Sequence, residues 1–259
     1  MRLKVGCQLE YLSRYDTPLI LLLRLHRVVS QTVIHENLTV YPDVPMTEYT
    51  DHYGNYCHRL IAPEGRLVIS AHAIVETALE AEVDTNANFT LIQYLPDDTL
   101  IYLLPSRFCE SDKLNSKAYE IINDGMTGYQ MVEAIRQWVF SNIKYEYNRS
   151  TSSTSALDTL SVQHGVCRDM SHLAIALCRS INIPARFVTG YLYDLKPMDL
   201  HAWFEAFLDD KWYTFDATQP FVTGGRVTLA YGRDAADVAT ATYFGDIVLE
   251  NMFVFVEQE

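Results

Sequence analysis

Residues 165–178 read GVCRDMSHLAIALC: a glycine turn, a cysteine, and then a helical stretch. Met170, Leu173, Ala174, Leu177 and Ile181 recur at helical spacing as one apolar stripe, and Pro184 stops the run. A helix with so apolar a face belongs in the middle of a core. Cys178 lies on the stripe, but Cys167 occupies the first turn, where unpaired N–H groups carry a partial positive charge. A thiol there is stabilised as thiolate, its nucleophilic form, and the same N–H groups could receive an oxyanion. A small residue packed where the chain turns would fit this position equally well, so the rest of the sequence has to decide.

A nucleophile needs a base, and the sequence offers one with geometry. RFVTGYLY (186–193) reads as a strand, and HAWFEAFLDDKWYTFDAT (201–218) reads as a hairpin turning at Asp209–Asp210. A two- or four-residue loop sets Trp203 opposite Asp216, which makes His201 and Asp216 diagonal neighbours on one face. Such neighbours lie about 7–8 Å apart along the backbone, within reach of a long side chain. A three-residue loop would break this register. An imidazole with an orienting carboxylate is therefore available, conditional on the turn.

The competing residues offer less. His164 and His172 are near Cys167 in sequence but have no nearby acid to orient them, and His172 points to another face of the helix. His26, His35, His52, His58 and His72 show no ligand spacing. With no H-E-x-x-H, no C-x-x-C and no calcium-loop pattern, neither a metal nor another cofactor is expected. Cys109, in a loop-like stretch, is the one serious rival nucleophile.

Working outward, the first hundred residues read mostly as strands. Leu3, Val5, Cys7 and Leu9 alternate with polar neighbours or glycine, the period of a half-buried strand. Further β-rich runs fall at 19–29, 31–40, 57–62 and 66–76, with turns at TDHYGN and APEG. This pattern predicts a β-sandwich-like domain over 1–105. The stretch 95–112, bracketed by Pro96 and Pro105, reads as the passage to a second domain over 106–259. There Thr127 and Gln130 make a capping box ahead of a helix with Val132, Ile135 and Val139 on one face. A Ser/Thr-rich loop at 150–155 then precedes a short helix, ALDTLSVQH, expected to end at Gly165.

The 259 residues carry 20 Lys+Arg against 33 Asp+Glu, a net charge of −13. Splitting at Pro105 leaves both halves acidic, at −6 and −7, so neither is a candidate for nucleic-acid or anionic-membrane binding. Five cysteines form no C-x-x-C pair and leave at least one unpaired, which points to a reducing compartment. MRLKVGCQLEYLS has no apolar signal region, and LILLLRL (19–25) is far short of the roughly 20 residues a membrane span needs. A soluble, cytoplasmic protein is the expectation.

Three segments in order, GVCRDMSHLAIALCRSINIPARFVTGYL, DLHAWFEAFL and KWYTFDAT, resemble the signature segments of the bacterial transglutaminase-like superfamily. The likeness covers about 106–259, and the β-rich half is similar to the N-terminal domain that accompanies many such cores. The resemblance implies an α+β fold with a papain-like core, helices packed on an antiparallel sheet. It also implies Cys167 as nucleophile, His201 as general base and acid, and Asp216 as orienting acid. The family's further oxyanion donor does not map cleanly; Tyr147 and Gln163 are candidates, and neither is assigned. Thioester-forming acyl transfer from a peptide or amide follows. Water as acceptor, giving a cysteine peptidase or amidase, is favoured because nothing announces a second amine site. The alternatives are a protein-glutamine transglutaminase and a non-catalytic binding or scaffold module.

Overall fold

The computed structural model describes residues 1–259. Six strands come first: β1 (Arg2–Ser13), β2 (Thr17–Leu21), β3 (Gln31–Tyr41), β4 (Thr47–Thr50), β5 (Tyr56–Ala62) and β6 (Gly65–Thr77). The alternation read in β1 is real, for Leu3, Val5, Cys7 and Leu9 are all buried. The expected strand over 19–29 stops at Leu21. Leu22, Leu23 and Leu25 still enter the core, but the Leu25 N–H is taken by the Glu36 carboxylate rather than by a neighbouring strand.

After a passage of short 3-10 turns come α1 (Asn115–Ile121), α2 (Gly128–Asn142), β7 (Lys144–Tyr145), α3 (Ala156–Val162), β8 (His164–Gly165) and α4 (Cys167–Ser180). The Thr127–Gln130 capping box is present at α2. Helix α3 ends earlier than expected: Gln163, with φ 57°, takes the left-handed cap, and Gly165 belongs to β8. The strands β9 (Ala185–Leu192), β10 (His201–Leu208), β11 (Lys211–Phe215) and β12 (Arg226–Gly232) follow, then β13 (Ala241–Tyr243) and β14 (Ile247–Gln258).

The core sheet is antiparallel in the order β11-β10-β9-β12. Helix α4 packs on it, against α2 and α3 as well, and every residue from Asp169 to Arg179 is buried. Each fully buried Leu or Ile of that helix contributes roughly 1.5–3 kcal/mol, so α4 anchors the core and fixes where its first turn points.

The sequence reading assigns everything after residue 105 to the core, but the last two strands return to the N-terminal domain. Its sheets run β14-β1-β6-β3 and β13-β2-β5-β4, with β14 paired along β1 from Leu3↔Gln258 to Ser13↔Ile247. Val254 and Val256 of β14 bury in the same apolar cluster as Leu3 and Val5. Hydrophobic burial there outweighs sequence proximity to the core. No helix is long and apolar enough to cross a membrane.

Candidate active site

Gly165 has a steric reason to precede the cysteine. A Cβ at that position would meet the Asp169 Cβ at 2.8 Å, so only glycine lets Asp169 fold back beneath the turn. Asp169, wholly buried, then accepts the Val166 N–H at 3.0 Å and the Arg168 guanidinium at 2.7 and 3.0 Å. Val166, at the N-cap, has no polar side chain to cap the helix. The first turn beside the half-buried Cys167 thus has no side-chain cap from Val166.

The hairpin register is the one that the two-residue loop requires. Asp209 and Asp210 form it with φ of 45° and 61°, left-handed values that aspartate tolerates. Phe204 pairs with Phe215 and Leu208 with Lys211. Extending that ladder by one step sets Trp203 opposite Asp216, and His201 Nε2 reaches Asp216 Oδ2 at 2.8 Å. The other carboxylate oxygen accepts the Thr218 N–H at 2.9 Å and its hydroxyl at 2.7 Å. His201 Nδ1 is left without a partner of its own, and the Cys167 thiol lies close enough to this ring to favour its charged form.

Electrostatics follow from burial and these partners. Burial disfavours charge on His201, but the Asp216 carboxylate and the Cys167 thiol outweigh it, pushing the ring up to about 9. Burial disfavours charge on Asp216 too. The Arg226 guanidinium, 2.9 Å away, and His201 together hold this carboxyl well below the usual carboxylate range. Arg226 also lies over the Trp203 ring at 5.2 Å, and Trp203 stacks on His201 at 6.2 Å.

Cys167, His201 and Asp216 are thus brought together, and the other candidates are not. Cys109 is buried rather than looped out, its thiol pushed up to about 12 by burial. His172 is a core residue stacked between Phe108 and Phe187. It accepts the Ala235 N–H at 3.1 Å, and burial holds it down to about 3. His164 faces Glu146 at the surface. Gln163 is exposed at the α3 terminus, and Tyr147 packs on Tyr145 with ring centroids 5.4 Å apart. Tyr145 is the residue the sequence reading missed. Burial raises its phenol pKa, the nearby Cys167 thiol adds to this, and a hydrogen bond with the Cys167 backbone opposes it. The signal was present in IKYEY, where two tyrosines share a strand face and only pairing with β8 tells them apart.

A cavity of about 360 Å³ adjoins the site, with Tyr145, Met170, Thr218, Phe140 and Ile143 in its lining. No group of three or more His, Cys, Asp or Glu side chains is placed to hold a metal ion.

Comparison with known proteins agrees with this architecture. Residues 115–217 match the model of the transglutaminase-like superfamily, and residues 1–95 match that of the bacterial transglutaminase N-terminal domain. A solved structure from Cytophaga hutchinsonii, provisionally named a cysteine protease, is 36% identical with a TM-score of 0.90. The match covers 99% of this chain and 90% of that one. An uncharacterised protein of Mycobacterium leprae (strain TN) is 28% identical over 223 residues, 81% of this chain and 79% of its own. The uncharacterised protein YebA of Bacillus subtilis (strain 168) is 23% identical over 145 residues, 48% of this chain and 20% of its own.

Proposed function

The chain belongs to the transglutaminase-like superfamily, and from that premise we propose that it is a cysteine peptidase or amidase, transferring an acyl group through a thioester to water. The observation that carries the reading is His201, with one ring nitrogen bonded to Asp216 and the other free for the thiol at the head of α4. The likeness to a protein provisionally named a cysteine protease supports hydrolysis over transamidation.

In this reading Cys167 Sγ forms a bond to the carbonyl carbon, and the carbonyl π electrons move onto oxygen. The N–H groups of the first α4 turn stabilise that oxyanion, with Tyr145 beside them. His201 gives its proton to the leaving nitrogen as the C–N bond breaks, which leaves a thioester. It then takes a proton from water as the water oxygen attacks, and Cys167 departs as thiolate. Asp216 holds the ring in the tautomer that presents Nδ1 to the sulfur and stabilises its charged form.

Intact-mass measurement across a library of amides and peptides tests the reading. An acyl adduct on wild type that is absent in Cys167→Ala supports it. Release of new amino termini or ammonia without uptake of a labelled primary amine identifies hydrolysis. Uptake of the amine identifies a transglutaminase, and the absence of any adduct favours a scaffold.

A further inference from the structure

Behind the triad lies an arginine that the reaction just described does not use. Arg226 opens β12, the edge strand of the core sheet. Its Nη2 lies 2.9 Å from Asp216 Oδ2, the same oxygen that accepts from His201, while its Nε donates to the Thr223 carbonyl at 3.1 Å. Its side chain is only 8% exposed, and neither terminal nitrogen is aligned for a hydrogen bond. The contact with Asp216 is therefore one of charge with charge. Burying a guanidinium so poorly bonded is costly, and the Asp216 carboxylate is the group beside it that offsets the cost.

The strand that carries Arg226 is fastened from the other half of the molecule. On its outer edge, where a further strand could pair, lie two side-chain amides. Gln31 accepts the Thr228 N–H at 2.7 Å and donates to the Thr228 carbonyl at 2.9 Å. Asn55 accepts the Tyr231 N–H at 2.9 Å and donates to the Tyr231 carbonyl at 2.8 Å. Each amide reproduces the paired donor and acceptor of an antiparallel neighbour. The Thr77 hydroxyl donates to the carbonyl of Arg226 itself at 2.7 Å, and the Gly225 N–H donates to the Ala78 carbonyl at 2.9 Å.

We propose that Arg226 is a positioning residue of the triad, anchored by Gln31, Asn55 and Thr77 of the N-terminal domain, and that its cation sets how much of the Asp216 charge reaches His201. The inference rests on the Cys167–His201–Asp216 reading. The charged and titratable groups around the ring are Asp216, Cys167 from α4, Asp199 from the segment before β10, and Arg226 through Asp216. With Arg226 in place, one carboxylate serves two cations whenever His201 is protonated. Without it, the negative charge acts on the imidazolium alone. The ring then keeps its proton to higher pH and yields it less readily to a leaving amine. The N-terminal domain, which supplies no triad residue, thereby acts on the chemistry.

His201 is titrated by NMR in the full chain carrying Cys167→Ala, which removes both turnover and thiol coupling. Adding Arg226→Met should raise the midpoint by on the order of one pH unit, and Arg226→Lys should return most of it. The pair Gln31→Leu and Asn55→Leu should move it the same way by less. An unmoved or lowered midpoint in a natively folded Arg226→Met variant overturns the proposal. If that variant does not fold, a midpoint unmoved by the Gln31/Asn55 pair does so. With Cys167 present, the acylation burst from an acyl p-nitroanilide, whose amine needs the ring's proton to leave, should slow by up to about tenfold in Arg226→Met and recover in part in Arg226→Lys. A wild type without any burst counts against the acyl-transfer reading, and the titration still decides the role of Arg226.

Discussion

Replacing His201 by glutamine should change how stability depends on pH. In the folded protein the imidazole is raised from its ordinary 6.5 to about 9. At roughly 1.4 kcal/mol per pH unit, the charged ring contributes about 3 kcal/mol of stability. Because the folded value lies above the unfolded one, this contribution is complete below pH 6.5 and is lost as pH rises through 9. Between pH 6 and pH 8.5 the wild type should therefore lose about 2 kcal/mol that the variant, with no ring to titrate, does not lose. Other groups titrate in the same window, including His26 and His58, whose pKa values are lowered by burial. They are common to both proteins and cancel in the difference. Urea denaturation at fixed pH steps, read by linear extrapolation, gives that difference directly. Parallel pH profiles, or a wild type that gains on the variant as pH rises, would show that His201 is not held as an imidazolium by Asp216 and Cys167.

Brief iodoacetamide treatment of the native protein at mildly acidic pH should label Cys167 and spare the other four cysteines. Burial raises the thiol pKa of Cys7, Cys57, Cys109 and Cys178, and even labelling across peptides would contradict their placement. Gly190→Ala should cost about 3 kcal/mol or more, measured by thermal or urea melting, because overpacking there cannot relax. Its Cβ would fall 2.0 Å from the Val227 carbonyl oxygen and 2.8 Å from the Trp203 ring, in the strand pair that carries His201. Stopping the chain after Thr240 removes β13 and β14 and should abolish cooperative melting. A soluble 1–240 fragment with a sharp transition would be evidence against that dependence.

What could be read from the sequence was local or one hairpin away. Helix α4 was legible because its stripe and its stop at Pro184 lie in one continuous run. The approach of His201 to Asp216 was legible because a two-residue loop dictates the register of everything beside it. Arg226 was not, since RVTLAYG looks like any strand, and its contact with Asp216 exists only once β12 has docked against β9 across the sheet. The same holds for Gln31 and Asn55, whose partners lie 197 and 176 residues away. The passage 22–25 misled for a different reason. Its leucines have strand-like composition, but a buried glutamate side chain supplies the hydrogen bond that a strand partner would have made. Helix α3 was placed, but its end was misread. Glycine is the commoner left-handed cap, whereas Gln163 adopts that conformation here and frees Gly165 for its place against Asp169.

The pairing of β14 with β1 orders events during synthesis. Strand β1 leaves the ribosome long before β14, yet one of its two edges stays without a partner until residues 247–258 have been made. Throughout translation of the core, that edge is an open template for strands of other nascent chains. Folding of the N-terminal sheet is thus tied to a contact of very long sequence separation, which closes slowly. The clamp on β12 lies in the same late-completed domain, so a nascent chain should acquire its thiol and imidazole well before it acquires a properly braced carboxylate.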